Sequence, residues 1–74
     1  MDTAYTEDPT VLLLTVEEAA RRLRIGRTNC YALIRTGQLE SVVPVGRLRR
    51  VPADALPEFV ARLRTANRPT PLAA

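Results

Sequence analysis

Two short stretches of this sequence carry side chains that can bind a polyanion. Residues Arg27–Asn29 join a guanidinium, a hydroxyl and an amide, and residues Arg47–Arg50 hold three arginines in four positions. A guanidinium presents a planar fork of donors that fits phosphate oxygens or the edge of guanine, and an asparagine amide can pair with adenine. These residue types predict contacts with nucleic acid.

The positive charge is concentrated in the middle of the chain. Eight of the eleven arginines lie within residues 19–52 against a single acid, Glu40, so this stretch carries a net charge of +7. Residues 1–18 hold five acids and no base, and the chain contains no lysine. GC-rich coding DNA would also favour arginine, but the chemistry is the same under either cause. The asymmetry predicts that a polyanion meets the middle of the chain.

The residue types that other chemistries need are scarce. The chain has no histidine, one cysteine (Cys30) and one serine (Ser41). The usual nucleophile–base pair, a zinc site and an intrachain disulfide therefore cannot be built from it. We expect no enzymatic activity, no cofactor, no metal and no small-molecule substrate, and we expect Cys30 to pack in the core.

Two helices separated by three residues should present the first basic stretch. Thr15 and Glu18 fit a capping box, and an apolar stripe at helical spacing follows them. Gly26 is the expected turn residue, and a second helix should run from about Arg27 to Thr36 and stop at Gly37. This pattern predicts a helix-turn-helix, whose second helix lies in the major groove of DNA. The alternative is a plain helical hairpin with solvated charges.

A β-hairpin and a last helix should complete the domain. Residues 41–45 and 48–51 flank Gly46 and predict a hairpin, with Pro44 on an edge strand or in a bulge. An arginine-rich hairpin suits a wing that touches the DNA backbone or the minor groove, although charges also protect a solvated edge strand. The last helix should bury Leu56, Phe59, Val60 and Leu63, with Pro57 near its first turn.

The predicted fold is therefore α+β and mostly helical: a winged helix-turn-helix with three helices and one β-hairpin wing. We expect residues 12–65 to form this domain. Residues 1–11 are predicted to be a flexible acidic N-terminal arm, and residues 66–74 a flexible C-terminal tail.

Three segments resemble the excisionase-type DNA-binding domains, which are related to the DNA-binding domain of MerR-type regulators. They are Leu14–Ala20 (LTVEEAA), Tyr31–Gly37 (YALIRTG) and Val45–Pro52 (VGRLRRVP), and the resemblance covers about residues 13–64. It implies a winged helix in which the second helix reads the major groove and the wing touches the neighbouring minor groove. One departure is Gly26, which stands where many members have a serine that can cap the second helix.

By resemblance and by position, eight residues are expected to contact DNA. They are Arg27, Thr28, Asn29, Tyr31 and Arg35 on the second helix, and Arg47, Arg49 and Arg50 on the wing.

The resemblance implies an excisionase, or recombination directionality factor, of a phage or plasmid. Such a protein binds and bends attachment-site DNA and directs a cognate integrase toward excision. A small domain covers few base pairs, so we also expect cooperative self-association on DNA. The alternatives are a small transcriptional regulator with the same domain and an adaptor whose arginines meet an acidic protein. The apolar run Val11–Leu14 is too short for a signal peptide or a membrane span, so a cytoplasmic location in a bacterial host is expected.

Overall fold

Three helices and three short strands make up residues 10–68, the part of the chain that a computed structural model describes. The α+β winged helix-turn-helix predicted from the sequence is confirmed. Most of the two segments predicted as flexible arms, 1–11 and 66–74, lies outside the described residues. In chain order the elements are β1 (Leu13–Leu14), α1 (Val16–Leu23), α2 (Arg27–Arg35), β2 (Val42–Val45), β3 (Leu48–Pro52) and α3 (Ala55–Ala66).

Helix α1 begins at the predicted capping box. The Glu18 backbone N–H donates to Thr15 Oγ1 at 3.0 Å, and the Thr15 N–H donates to Glu18 Oε1 at 2.9 Å. Two N–H groups that lack partners within the helix are thereby satisfied. Val16, Ala19 and Ala20 of the predicted stripe are buried, and Leu23 is partly buried against the core.

The turn between α1 and α2 is made by a different residue from the one expected. Arg24, not Gly26, adopts the left-handed conformation, with φ 59° and ψ 42°. The Ile25 N–H then donates to the Ala20 carbonyl and the Arg24 N–H to the Arg21 carbonyl, which satisfies the end of α1 as in a Schellman motif. Gly26 has an ordinary extended backbone and is the N-cap of α2, without a side chain to bond the first turn.

Helix α2 ends as predicted. Gly37 follows the helix with φ +83°, and the Gln38 N–H donates to the Leu33 carbonyl at 2.9 Å. A positive φ is inexpensive for glycine, so the chain reverses sharply here. The reversal brings Leu39, which the sequence pattern did not single out, into the core at 1% exposure.

Strand β3 is the centre of a three-stranded antiparallel sheet in the order β1-β3-β2. The β2–β3 hairpin turns through Gly46 and Arg47, and Gly46 has φ +56°. As predicted for Pro44, β2 is an edge strand and its register shifts between Val42 and Val45. Strand β1 was not predicted: Leu14 pairs with Val51, and the Ala53 N–H donates to the Leu12 carbonyl at 2.8 Å.

Ten apolar residues from the three helices, β1, β3 and the segment after α2 form one core. Cys30 is fully buried, as expected, and its thiol makes a weak hydrogen bond to the Val16 carbonyl at 3.7 Å. Burial raises the pKa of the Cys30 thiol, so it stays protonated and unreactive in the folded protein. The core residues are Leu14, Val16, Ala19, Ala20, Cys30, Leu39, Val51, Ala55, Leu56 and Phe59.

Helix α3 contributes buried apolar residues only from its first half, and from its second half Arg62 Nη2 donates to the Gln38 carbonyl at 2.9 Å. Pro57 lies in the first turn, as predicted, and Leu56 and Phe59 are buried. The expectation that Val60 and Leu63 are core residues is wrong, because their side chains are 39% and 45% exposed. The small sheet covers only the start of the helix, so the apolar stripe continues into solvent. None of the helices within residues 10–68 has the length and apolarity needed to cross a membrane.

The two halves of α3 should respond differently to truncation. Phe59→Ala removes a buried aromatic ring and should lower the free energy of unfolding by about 3–5 kcal/mol. Leu63→Ala, one turn later and exposed, should cost less than about 1 kcal/mol. Urea denaturation followed by circular dichroism gives both values. Equal losses for the two variants would contradict this division of the helix.

The left-handed turn residue can be tested in the same way. Arg24→Gly relieves the strain of a side chain at positive φ and should raise the free energy of unfolding by about 0.5–1 kcal/mol after the entropy cost of glycine. Gly26→Ser should also stabilise, because the site has room for a Cβ, an allowed φ and a helix N–H to cap. Destabilisation by Gly26→Ser would mean that Gly26, and not Arg24, makes the turn.

Candidate nucleic-acid interface

The first turn of α2 presents its three leading side chains to solvent. Arg27, Thr28 and Asn29 are all exposed, and the turn contains no acidic residue. The free backbone N–H groups and the positive end of the helix dipole therefore remain open toward an anion. Thr28 and Asn29 take no part in the contacts that Arg27 makes with Glu17 and Tyr31.

Arg27 is held on two sides. Its Nε donates to Glu17 Oε2 at 2.7 Å, and its guanidinium carbon lies 4.9 Å from the centre of the Tyr31 ring. The second contact is a cation–π interaction, one turn along the same helix. The Arg27 and Glu17 side chains are both at least half exposed, so the pair remains in contact with solvent.

Glu17 has positive groups on more than one side. The hydrogen bond from Arg27 lowers the pKa of the Glu17 carboxyl most, a backbone N–H adds to this, and the charge of Arg50 contributes further. The same hydrogen bond raises the pKa of Arg27. Both groups are therefore charged at neutral pH, and their ionic attraction is lost in acid as Glu17 becomes protonated.

A cleft separates α2 from the wing. It has a volume of about 390 Å³ and is lined by Tyr31, Ile34, Arg35 and Arg49. Arg49 Nη1 donates to Ser41 Oγ at 2.6 Å, which ties this arginine to the start of the hairpin. Two guanidinium groups from different elements thus border one concavity, an arrangement suited to a phosphate group.

The three arginines predicted for the wing occupy different places. Arg47 lies in the exposed turn between β2 and β3. Arg49 borders the cleft beside α2. Arg50 donates to the Arg49 carbonyl at 2.9 Å, and its charge lowers the pKa of Glu17. Of the eight predicted residues, the structure brings together Arg27, Tyr31, Arg35 and Arg49, with Arg50 approaching from the side of Glu17.

Two residues of this surface were missed by the sequence interpretation. In the sequence Glu17 is only one of the five acids of residues 1–18, and Ser41 is only the single serine that lacks a base to activate it. No periodicity links Glu17 to Arg27, which lies ten residues later beyond the turn. The contact depends on the angle between α1 and α2, which the sequence pattern does not specify.

Comparisons with known proteins agree with this geometry. The family model described as "Helix-turn-helix domain" matches residues 13–64. A Saccharopolyspora erythraea protein named "Probable excisionase" is 54% identical over 55 residues, which cover 74% of this chain and 55% of that protein. A Streptomyces ambofaciens protein named "Excisionase" is 48% identical over 48 residues, covering 65% of this chain and 76% of that protein. No solved structure matches the chain at a significant level.

The fold and its arginine-rich face define a DNA-binding protein of the winged helix-turn-helix class. The chain belongs to the helix-turn-helix domain family, and its domain is of the excisionase type. The aligned residues span about half the length of the Saccharopolyspora relative. The relationship to MerR-type regulators stays a prediction.

The helix and the wing should contribute differently to DNA binding. Arg27→Ala should cost about 1–3 kcal/mol on the preferred site and relax the preference at one base position. Arg47→Ala, at the exposed hairpin turn, should weaken binding to all sequences by a similar factor and reduce the salt slope by about one. Fluorescence anisotropy with the preferred duplex and its single-base variants measures both effects. Loss of base preference in Arg47→Ala but not in Arg27→Ala would reverse the two assignments.

Proposed function

We propose that the protein is an excisionase of a phage or plasmid, which binds and bends attachment-site DNA and directs a cognate integrase toward excision. The observation that carries this proposal is the cationic face on which Arg27, Arg35 and Arg49 lie around Tyr31 across α2 and the wing. The excisionase names of two relatives favour this role over others for a DNA-binding domain.

In the proposed complex, α2 enters the major groove. Arg27, Thr28 and Asn29 lie at its exposed N-terminal turn, where base edges come within reach. The cleft bordered by Arg35 and Arg49 receives a backbone phosphate. Arg47 then reaches the neighbouring minor groove from the hairpin turn, and Arg50 adds positive charge behind it.

Bending of the DNA follows from contacts in two neighbouring grooves. A helix and a wing that engage adjacent grooves favour a duplex curved toward the protein, and the added contacts offset the elastic cost of the curvature. A single domain of this size spans few base pairs, so several copies are needed on one attachment region.

Neighbouring copies have a surface through which they can associate. Val45 and Leu48 flank the hairpin turn and are 62% and 48% exposed. Val45 is the last residue of β2, whose outer edge is unpaired among the described residues, and Leu48 is the first residue of β3. Contacts through this hairpin support cooperative binding to repeated sites.

The decisive experiment combines a footprint with recombination. We expect the protein to protect repeated sites beside the attachment site of its element, to bend that fragment in a circular-permutation gel assay, and to increase excision by the cognate integrase in vitro. Arg27→Ala should lose all three effects at the same protein concentration. Protection of a promoter with no change in integrase products would favour the transcriptional regulator.

Salt dependence separates DNA binding from binding to an acidic protein. The logarithm of the association constant for DNA should fall with the logarithm of salt concentration, with a slope of about −0.9 for each phosphate contact. A slope near zero between low and physiological salt would contradict the proposed function.

A further inference from the structure

Glu17 is an acid in the middle of the cationic face. It projects from the first turn of α1 to Arg27 on α2, and its charge also interacts with Arg50 on β3. A carboxylate in this position repels the phosphate backbone, so it reduces the general affinity for DNA. The N-terminus of α1 does not depend on it, because Glu18 and Thr15 already form the capping box.

The contact geometry leaves one edge of Arg27 available. Glu17 Oε2 accepts the hydrogen bond from Nε, and the guanidinium carbon lies over the Tyr31 ring. The bond from Nε to Glu17 is the one close hydrogen bond of this guanidinium among residues 10–68, and the Tyr31 side chain interacts with it more weakly and adds to the raised pKa of Arg27, so the Nη1–Nη2 edge keeps donors for a ligand. That edge is the one that makes a two-pronged contact with the O6 and N7 atoms of guanine.

We infer that Glu17 is a positioning residue that holds the Arg27 guanidinium for two-pronged recognition of a guanine, and so exchanges general DNA affinity for base discrimination. This inference rests on the proposed DNA-binding function. An arginine side chain has several rotatable bonds, and an unrestrained Arg27 would spread its contacts over phosphates and several base positions. When Nε and one face of the guanidinium are held, the Nη1–Nη2 edge points in one direction before DNA binds. The side-chain entropy lost on forming the specific contact is then smaller.

Two substitutions separate the position of the carboxylate from its charge. Glu17→Asp keeps the charge but shortens the side chain, so it should lose the bond to Nε and release Arg27 to phosphates, with a smaller rise in affinity for unrelated DNA than Glu17→Gln gives. Glu17→Gln removes the charge and should raise affinity for unrelated DNA a few-fold. Glu17→Asp should lose about tenfold in the ratio of affinities for the preferred duplex and its variant lacking the recognised guanine, whereas Glu17→Gln, whose amide oxygen can still accept from Nε, should lose less. Glu58→Gln, an exposed acid in the first turn of α3, is the matched control and should leave this ratio unchanged.

The measurement is fluorescence anisotropy at one salt concentration, with a duplex selected from a random pool, its single-base variants and an unrelated duplex. In an Arg27→Ala background, Glu17→Asp should have no further effect on discrimination, because there is no fork left to position. Circular dichroism of each variant should show unchanged helix content, since the capping box is intact.

The outcomes distinguish this inference from the function on which it rests. If Glu17→Gln raises affinity for every duplex by the same factor and Glu17→Asp behaves as the wild type, Glu17 affects DNA binding only through its negative charge and the inference is wrong. If the wild-type protein binds no duplex, or binds all duplexes equally, the proposed function itself fails, whatever the variants do.

Discussion

Burial of Val51 on the central strand is the constraint on which the remaining structure depends. β3 pairs with β1 on one side and β2 on the other, and Val51, fully buried, lies opposite Leu14. This pairing joins the segment before α1 to the strand that leads from the wing into α3. Because a chain of 74 residues can bury only a small core, one strand serves the wing, the helix pair and the last helix at once.

The residues that stabilise this small domain are different from the residues that carry its charge. Within residues 10–68 the buried residues are all apolar, and the arginines of the proposed DNA-binding surface interact with exposed or partly exposed side chains such as Glu17, Tyr31 and Ser41. Exposed ion pairs add little to the free energy of unfolding, so these contacts serve mainly to orient side chains. The residues of the cationic surface can therefore vary to suit a partner without loss of packing in the core.

Local signals were sufficient wherever a few neighbouring residues decide the conformation. The Thr15–Glu18 capping box, the stop at Gly37, the turn at Gly46 and the bulge near Pro44 each involve hydrogen bonds or φ angles within about four residues. Arg24 shows where such reasoning fails. Its intrinsic preference is against the left-handed conformation, yet the packing of α2 on α1 requires a sharp turn one residue after Leu23, and tertiary contacts outweigh the local strain.

The sequence by itself determined the class of fold, the second helix, the hairpin and the arginines on both, since periodicity, capping and charge depend on neighbouring residues. The tertiary structure alone decided that Leu13–Leu14 becomes a strand, that Leu63 faces solvent, and that Glu17 meets Arg27. Each of these depends on how distant segments are placed in space. Neither the pairing of two strands nor the angle at which two helices cross produces a periodic pattern in a single sequence, because both are set by the packing of the whole core.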